Sequence, residues 1–173
     1  MKRRNFLWTL GSAAACTAFG ARPLLAQAKK GRVLYFTRSV GFEHSPVKRE
    51  GSELAFSEKV LVEWGKEAGF DVECSKDGRI FDQDLDKYDA FAFYTCGDLT
   101  KEDKYGNPPM TADGKKRFLD AIAAGKGYVG FHSATDTFHS AGGRDQVQTE
   151  VDPYVAMVGG EFIVHGRQQE ATM

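Results

Sequence analysis

Three histidines, His44, His132 and His165, each stand at or just past the end of an apolar run that reads as a strand. Imidazoles exchange protons near neutral pH and bind transition metals, so three of them on one sheet rim would make a site. His132 is the most informative. It ends the run Gly127, Tyr128, Val129, Gly130, Phe131 and is followed by Ser133, Thr135, Asp136 and Thr137. That pattern suits a buried strand delivering chemistry at its carboxyl end. His132 and Asp136 are the candidate catalytic residues, and Ser133 a substrate contact. His44, His132 and His165 are candidate ligands for a divalent transition metal, with Asp136 or Glu43 available as an oxygen ligand or as a partner orienting a ring. No spacing of the H-E-x-x-H kind accompanies them, and a hydrogen-bonded structural histidine is the competing reading at each position. His139, in a polar loop, is the weaker candidate.

A second group follows another apolar run, residues 89–96. Thr95, Gly97 and Asp98 could offer hydroxyl, amide and carboxylate groups to sugar oxygens, although Asp98 equally suits a turn cap. Cys96 is either a nucleophile activated by a histidine or a small buried hydrophobe. Phe42 can wall a pocket or anchor a loop. Aromatic residues make up 12% of the chain, and Phe42, Tyr105, Phe138 and Tyr154 fall in or near rim loops, where a ring could stack on a sugar face. Core packing is the default for each. Phe91, Phe93 and Phe131 are expected in the core.

The elements that must position these residues alternate. Residues 32–37 read as a first strand, and Ser45 with Pro46 predicts a helix start. Leu54, Val60, Leu61 and Trp64 would form its apolar face, with Gly69 as the stop. A strand at 70–74 and a turn of helix at 82–87 precede the strand at 89–96. Residues 101–109 are expected to form a mobile loop. Thr111 opens a helix carrying Phe118, Leu119 and Ile122 and ending at Gly125, next to the strand at 127–131. Asp152 and Pro153 open a short helix that Gly159 and Gly160 end, and residues 161–165 resume a strand. Alternation of this kind implies a parallel α/β sheet with right-handed crossovers.

Residues 1–28 stand apart. Lys2, Arg3, Arg4, Asn5, Phe6 and Leu7 precede an Ala/Gly-rich, weakly apolar stretch that exits through Ala26, Gln27 and Ala28. This pattern predicts a twin-arginine export signal and a periplasmic or secreted domain at 29–173. Lipidation of Cys16 is disfavoured by the alanines at 13–15. The remainder suffices for one domain with a real core. The formal net charge of −1, with both signs mixed along the chain, gives no basic face for nucleic acid. No later apolar run approaches the ~20 residues of a membrane span. Cys74 and Cys96 indicate no disulfide framework.

Taken together, the segment from Val33 to His44, the pair Tyr88 and Asp89 with Thr95 to Asp98, the run Gly130 to Thr137, and Val158 to Phe162 with His165 resemble the ThuA-like family, named for trehalose utilisation, within the class I glutamine-amidotransferase-like fold. The resemblance covers residues 32–173. It implies a flavodoxin-like, mostly parallel sheet with helices on both faces, and a role in carbohydrate metabolism. The family pattern usually runs on past the last residue here, so the sequence reads as a fragment. Amidotransferases of this fold carry a nucleophilic cysteine at the strand-to-helix elbow, where this chain has His132, which speaks against glutamine hydrolysis. The expected function is an exported enzyme acting on a glycoside or oxidised sugar by hydrolysis, elimination or isomerisation. A non-catalytic sugar-binding or accessory module is the alternative.

Overall fold

The structure is a computed structural model and describes residues 30–143, 146–167, 169 and 170. The export signal expected at 1–28 lies outside these residues, as do Arg144, Asp145, Gln168 and the last three positions. Four strands form one parallel sheet: β1 (Arg32–Phe36), β2 (Asp71–Ser75), β3 (Ala90–Phe93) and β4 (Gly127–Gly130), in the order β2-β1-β3-β4. Helix α1 (Phe56–Ala68) connects β1 to β2 and α2 (Ala112–Ala123) connects β3 to β4. The chain steps in opposite directions across the sheet in these two units, so right-handed crossovers put the helices on opposite faces. This is the expected α/β architecture with flavodoxin-like order.

Side-chain alternation divides the sheet accordingly. Leu34, Phe36, Phe91 and Phe93 face α2, where they meet Phe81 and Phe118 in a fully buried aromatic core. Phe93 stacks on Phe118 with ring centroids 4.7 Å apart. Thr111 caps α2 by accepting a hydrogen bond from Gly114 N at 2.8 Å. Tyr35 and Ala92 point to the other face. There α1 sits close to β2, because a Cβ at Gly65 would stand 2.9 Å from Phe70 O. Beside α1 the face stays open, and Tyr35, Phe56, Trp64, Tyr94 and Phe131 line an apolar hollow.

Several expectations change. The helix predicted from Ser45 shrinks to a 3-10 turn, Ser45–Val47, and α1 begins only at Phe56. Pro46 starts the turn, but Lys48 already leaves it in an extended conformation, and the side chain of Glu58 defines the true helix start by accepting from Ala55 N at 2.8 Å. Trp64, expected on the core face, is 59% exposed. The helical turn after β2 forms earlier than expected, at Gly78–Asp82, because Asp77 caps it through Arg79 N. The sequence pattern predicts a buried β4. Among the described residues it is an edge strand paired with β3 alone, with Val129 exposed and Phe131 only half-buried against Tyr35. Residues 161–165 form no strand, since Phe162 N donates to Thr135 O and Glu161 turns toward His139. The loop at 101–109 is tied down by buried Arg38, whose guanidinium donates to the carbonyls of Leu99, Lys101 and Asn107. Short α3 (Pro153–Val158) forms as read, capped by Asp152.

The tie that sets the loop between β1 and α1 is Glu58. Its carboxylate is buried and accepts from Arg49 Nε and Nη2 at 2.8 Å each, from Thr37 Oγ1 and from Ala55 N. Burial pushes the carboxyl up, yet these hydrogen bonds outweigh it and hold it below its ordinary value of 4.5. Glu58→Gln should cost about 3 kcal/mol, because Arg49 loses its counter-charge in a buried setting. A carboxyl depressed on folding stabilises above its unfolded value and ceases to as pH falls through its folded value. Urea melts from neutral to acidic pH should therefore show the wild type losing stability below pH 4.5 and the variant losing less over that window.

Candidate functional site

The carboxyl ends of β1, β3 and β4 are too short to reach the rim alone, and their loops are spliced instead. Val40 N donates to Cys96 O at 2.7 Å, and Gly97 N to Asp136 O at 2.6 Å. Isolated parallel bridges pair Ser39 with Cys96 and Gly97 with Thr137. Ser133 Oγ donates to Thr95 O, while Thr95 and Thr137 share a buried hydroxyl contact of 2.7 Å. Gly97 is required at its crossing point: its φ is 78, and any Cβ would collide with Val40 O.

This splice carries His132 into a pocket of about 440 Å³. His132 opens the 3-10 turn His132–Asp136 with a φ of 45, a left-handed conformation rare outside glycine. Strain of this sort is held in place by surroundings and concentrates at functional sites. His44 arrives from the opposite side. Its loop is seated by Lys76, nearly buried, which donates to Thr37 O at 2.8 Å and to Glu43 at 2.9 Å. Glu43 is thereby used as a loop anchor. The His44 and His132 rings meet edge to face, centroids 4.5 Å apart, with Tyr94 behind both. Burial and the neighbouring His132 hold the His44 imidazole below its ordinary value, against the pull of Asp136. This favours the uncharged form of His44.

Phe42, Cys96, Ser133, Asp136 and His165 line the same pocket, so with His44 and His132 seven of the residues singled out from sequence converge there. Phe42 is 64% exposed and packs edge-on against His44. His165 is exposed, at the outer lip. Thr95, Gly97 and Asp98 do not line it. The first two hold the splice, and Asp98 caps its own turn through Thr100 N and Oγ1. Tyr105 lies elsewhere, and Phe138 and Tyr154 are core residues. Cys74 and Cys96 are not joined in a disulfide. Burial and nearby Glu58 push Cys74 up to about 12. Cys96 Sγ donates to Asp136 Oδ2 at 3.1 Å within the pocket wall. Although three candidate metal ligands line one pocket, among the described residues no group of three or more His, Cys, Asp or Glu side chains is arranged to hold a metal ion.

Two further residues partner this site: His139, the weaker candidate from sequence, and Glu161, which the sequence reading did not single out. His139 Nε2 stands 2.9 Å from Asp136 Oδ1, and His139 Nδ1 stands 2.6 Å from Glu161 Oε1. Burial raises the Glu161 carboxyl, but its contacts with His139 and Ser140 more than offset this and hold it low. The i,i+3 spacing of Asp136 and His139 was the one available local signal.

A four-stranded parallel sheet of this order, with a strained residue at the elbow after β4, is consistent with a class I glutamine-amidotransferase-like domain. The elbow residue is a histidine. A family model described as trehalose utilisation, ThuA, matches residues 32–173, and the chain belongs to that family. It is accordingly a domain connected with carbohydrate utilisation. No curated protein and no solved structure matches the chain. No helix among the described residues is long and apolar enough to cross a membrane.

The elbow strain is measurable. His132→Gly trades backbone strain against unfolded-chain entropy and should stay within about 1 kcal/mol of wild type. His132→Val, β-branched at positive φ, should lose about 2 kcal/mol. Denaturant melts of the two variants check this order.

Proposed function

We propose that this domain is an exported enzyme performing proton-transfer chemistry on a carbohydrate, a glycoside or an oxidised sugar. The observation that carries the reading is the pair His44 and His132, 4.5 Å apart and edge to face in one pocket. His44, kept neutral, accepts a proton from a sugar hydroxyl or from a carbon beside a carbonyl. His132 donates to the developing oxyanion or leaving oxygen, and Asp136 lines the pocket as the negative charge that steadies whichever ring becomes cationic. Phe42 at the lip offers a ring face to the sugar, and Ser133 a hydroxyl near it. Family membership supports the carbohydrate, and the twin-arginine pattern of residues 1–28 supports export.

The test incubates the protein with trehalose, other neutral disaccharides and their keto derivatives in heavy water, following product and deuterium uptake by NMR. Turnover or deuterium uptake by wild type is expected, and His132→Gln or His44→Gln should each reduce kcat by about 10² to 10⁴-fold. A base whose pKa is lowered stays unprotonated further into acid, so the acid limb of kcat/KM should lie below the ordinary imidazole value of 6.5. Sugar binding by calorimetry with neither product nor deuterium uptake would instead establish a binding module.

A further inference from the structure

We infer that His139 and Glu161 form a positioning pair for Asp136, an imidazolium clamped between two carboxylates that fixes the Asp136 carboxylate in the pocket and seats the wall opposite the imidazole pair. An ionised carboxylate only accepts hydrogen bonds, and a neutral imidazole donates from one nitrogen alone. His139 faces Asp136 Oδ1 with Nε2 at 2.9 Å and Glu161 Oε1 with Nδ1 at 2.6 Å, so the ring bridges the two carboxyl groups and, where both are ionised, donates from each nitrogen. The other Asp136 oxygen accepts the Cys96 thiol at 3.1 Å, so the carboxylate is held at both ends and cannot rotate. Glu161 and His139 are mostly buried, which makes these charge-assisted contacts stronger than surface ones.

The clamp also joins two irregular segments that lie on either side of α3. Glu161 precedes Phe162, whose N–H donates to Thr135 O at 2.8 Å and whose side chain lines the pocket. Glu161 Oε2 further accepts from Ser140 N at 3.4 Å. Charged neighbours come from several elements: Asp136 from the 3-10 turn, Glu161 from the following segment, and Lys115 of α2, which lies 3.9 Å from the centre of the adjoining Phe138 ring and is paired with Asp152. Neither His139 nor Glu161 is among the pocket-lining residues, so their action on substrate passes through Asp136 and Phe162.

The consequence for turnover rests on the proton-transfer reading, whereas the clamp itself does not. Nitrogen-15 NMR of the labelled full chain near neutral pH reads it directly. Wild type should show His139 with both ring nitrogens protonated and two downfield, slowly exchanging N–H protons, against the exposed His165 as internal reference. Glu161→Gln, and separately Asp136→Asn, should each return the ring to a single proton with neutral-imidazole nitrogen shifts. A neutral His139 in wild type, or a ring unmoved by both variants, overturns the clamp. On the sugar with the greatest deuterium uptake, Glu161→Gln should lower kcat about 10-fold with KM within twofold. A raised KM at unchanged kcat would reduce the pair to wall packing and overturn its positioning role. If no sugar reacts, the proton-transfer reading fails and the nitrogen shifts alone decide the clamp.

Discussion

The buried carboxylate of Glu58 is the constraint on which the upper half of the molecule depends. It joins Thr37 just past the end of β1, Arg49 in the following loop and the backbone N–H of Ala55, the residue that caps α1. The chain between β1 and α1 has only one 3-10 turn of its own, so these bonds substitute for the missing secondary structure. Lys76 and Glu43 repeat the device one layer further out. Without both ties, nothing local would carry His44 over the sheet edge to within ring contact of His132.

A second economy lies in the strand ends. β3 and β4 are four residues each, yet the site needs groups well beyond them. Backbone bonds between residues 40 and 96, and between 97 and 136, extend the sheet's order into its loops. This places Thr95, Gly97 and Thr137 beneath the site rather than in it. Their apparent chemistry in the sequence is consumed by holding Asp136 at a fixed height.

Strands β1 to β4 and helices α2 and α3 were legible because each carries a local signature: β-branched or aromatic runs, Thr111 and Asp152 as caps, Gly125 and Gly159 as stops. The convergence of Phe42, His44, His132, Ser133, Asp136 and His165 was legible for the same reason, since a parallel sheet gathers its strand ends. What local sequence could not reveal were decisions made across the chain. Glu58 sits on a helix face among apolar residues and gives no sign that it overrides Pro46 as the helix start. Tyr128 packs inward while Val129 does not, which depends on α2 and α3 both lying on the Tyr128 face of β4. His139 and Glu161 are 22 residues apart in irregular segments, so no periodicity links them.

The open apolar hollow beside α1 shares a residue with the neighbourhood of the imidazoles. Tyr94 lines that hollow and also stands behind His44 and His132. A detergent tail or a phenyl ligand on a chromatographic resin fits the hollow's aromatic lining and would press on the reverse side of this ring. Surfactant carried through purification would then disturb the two imidazoles without entering their pocket, and would register as a shift of their ring resonances.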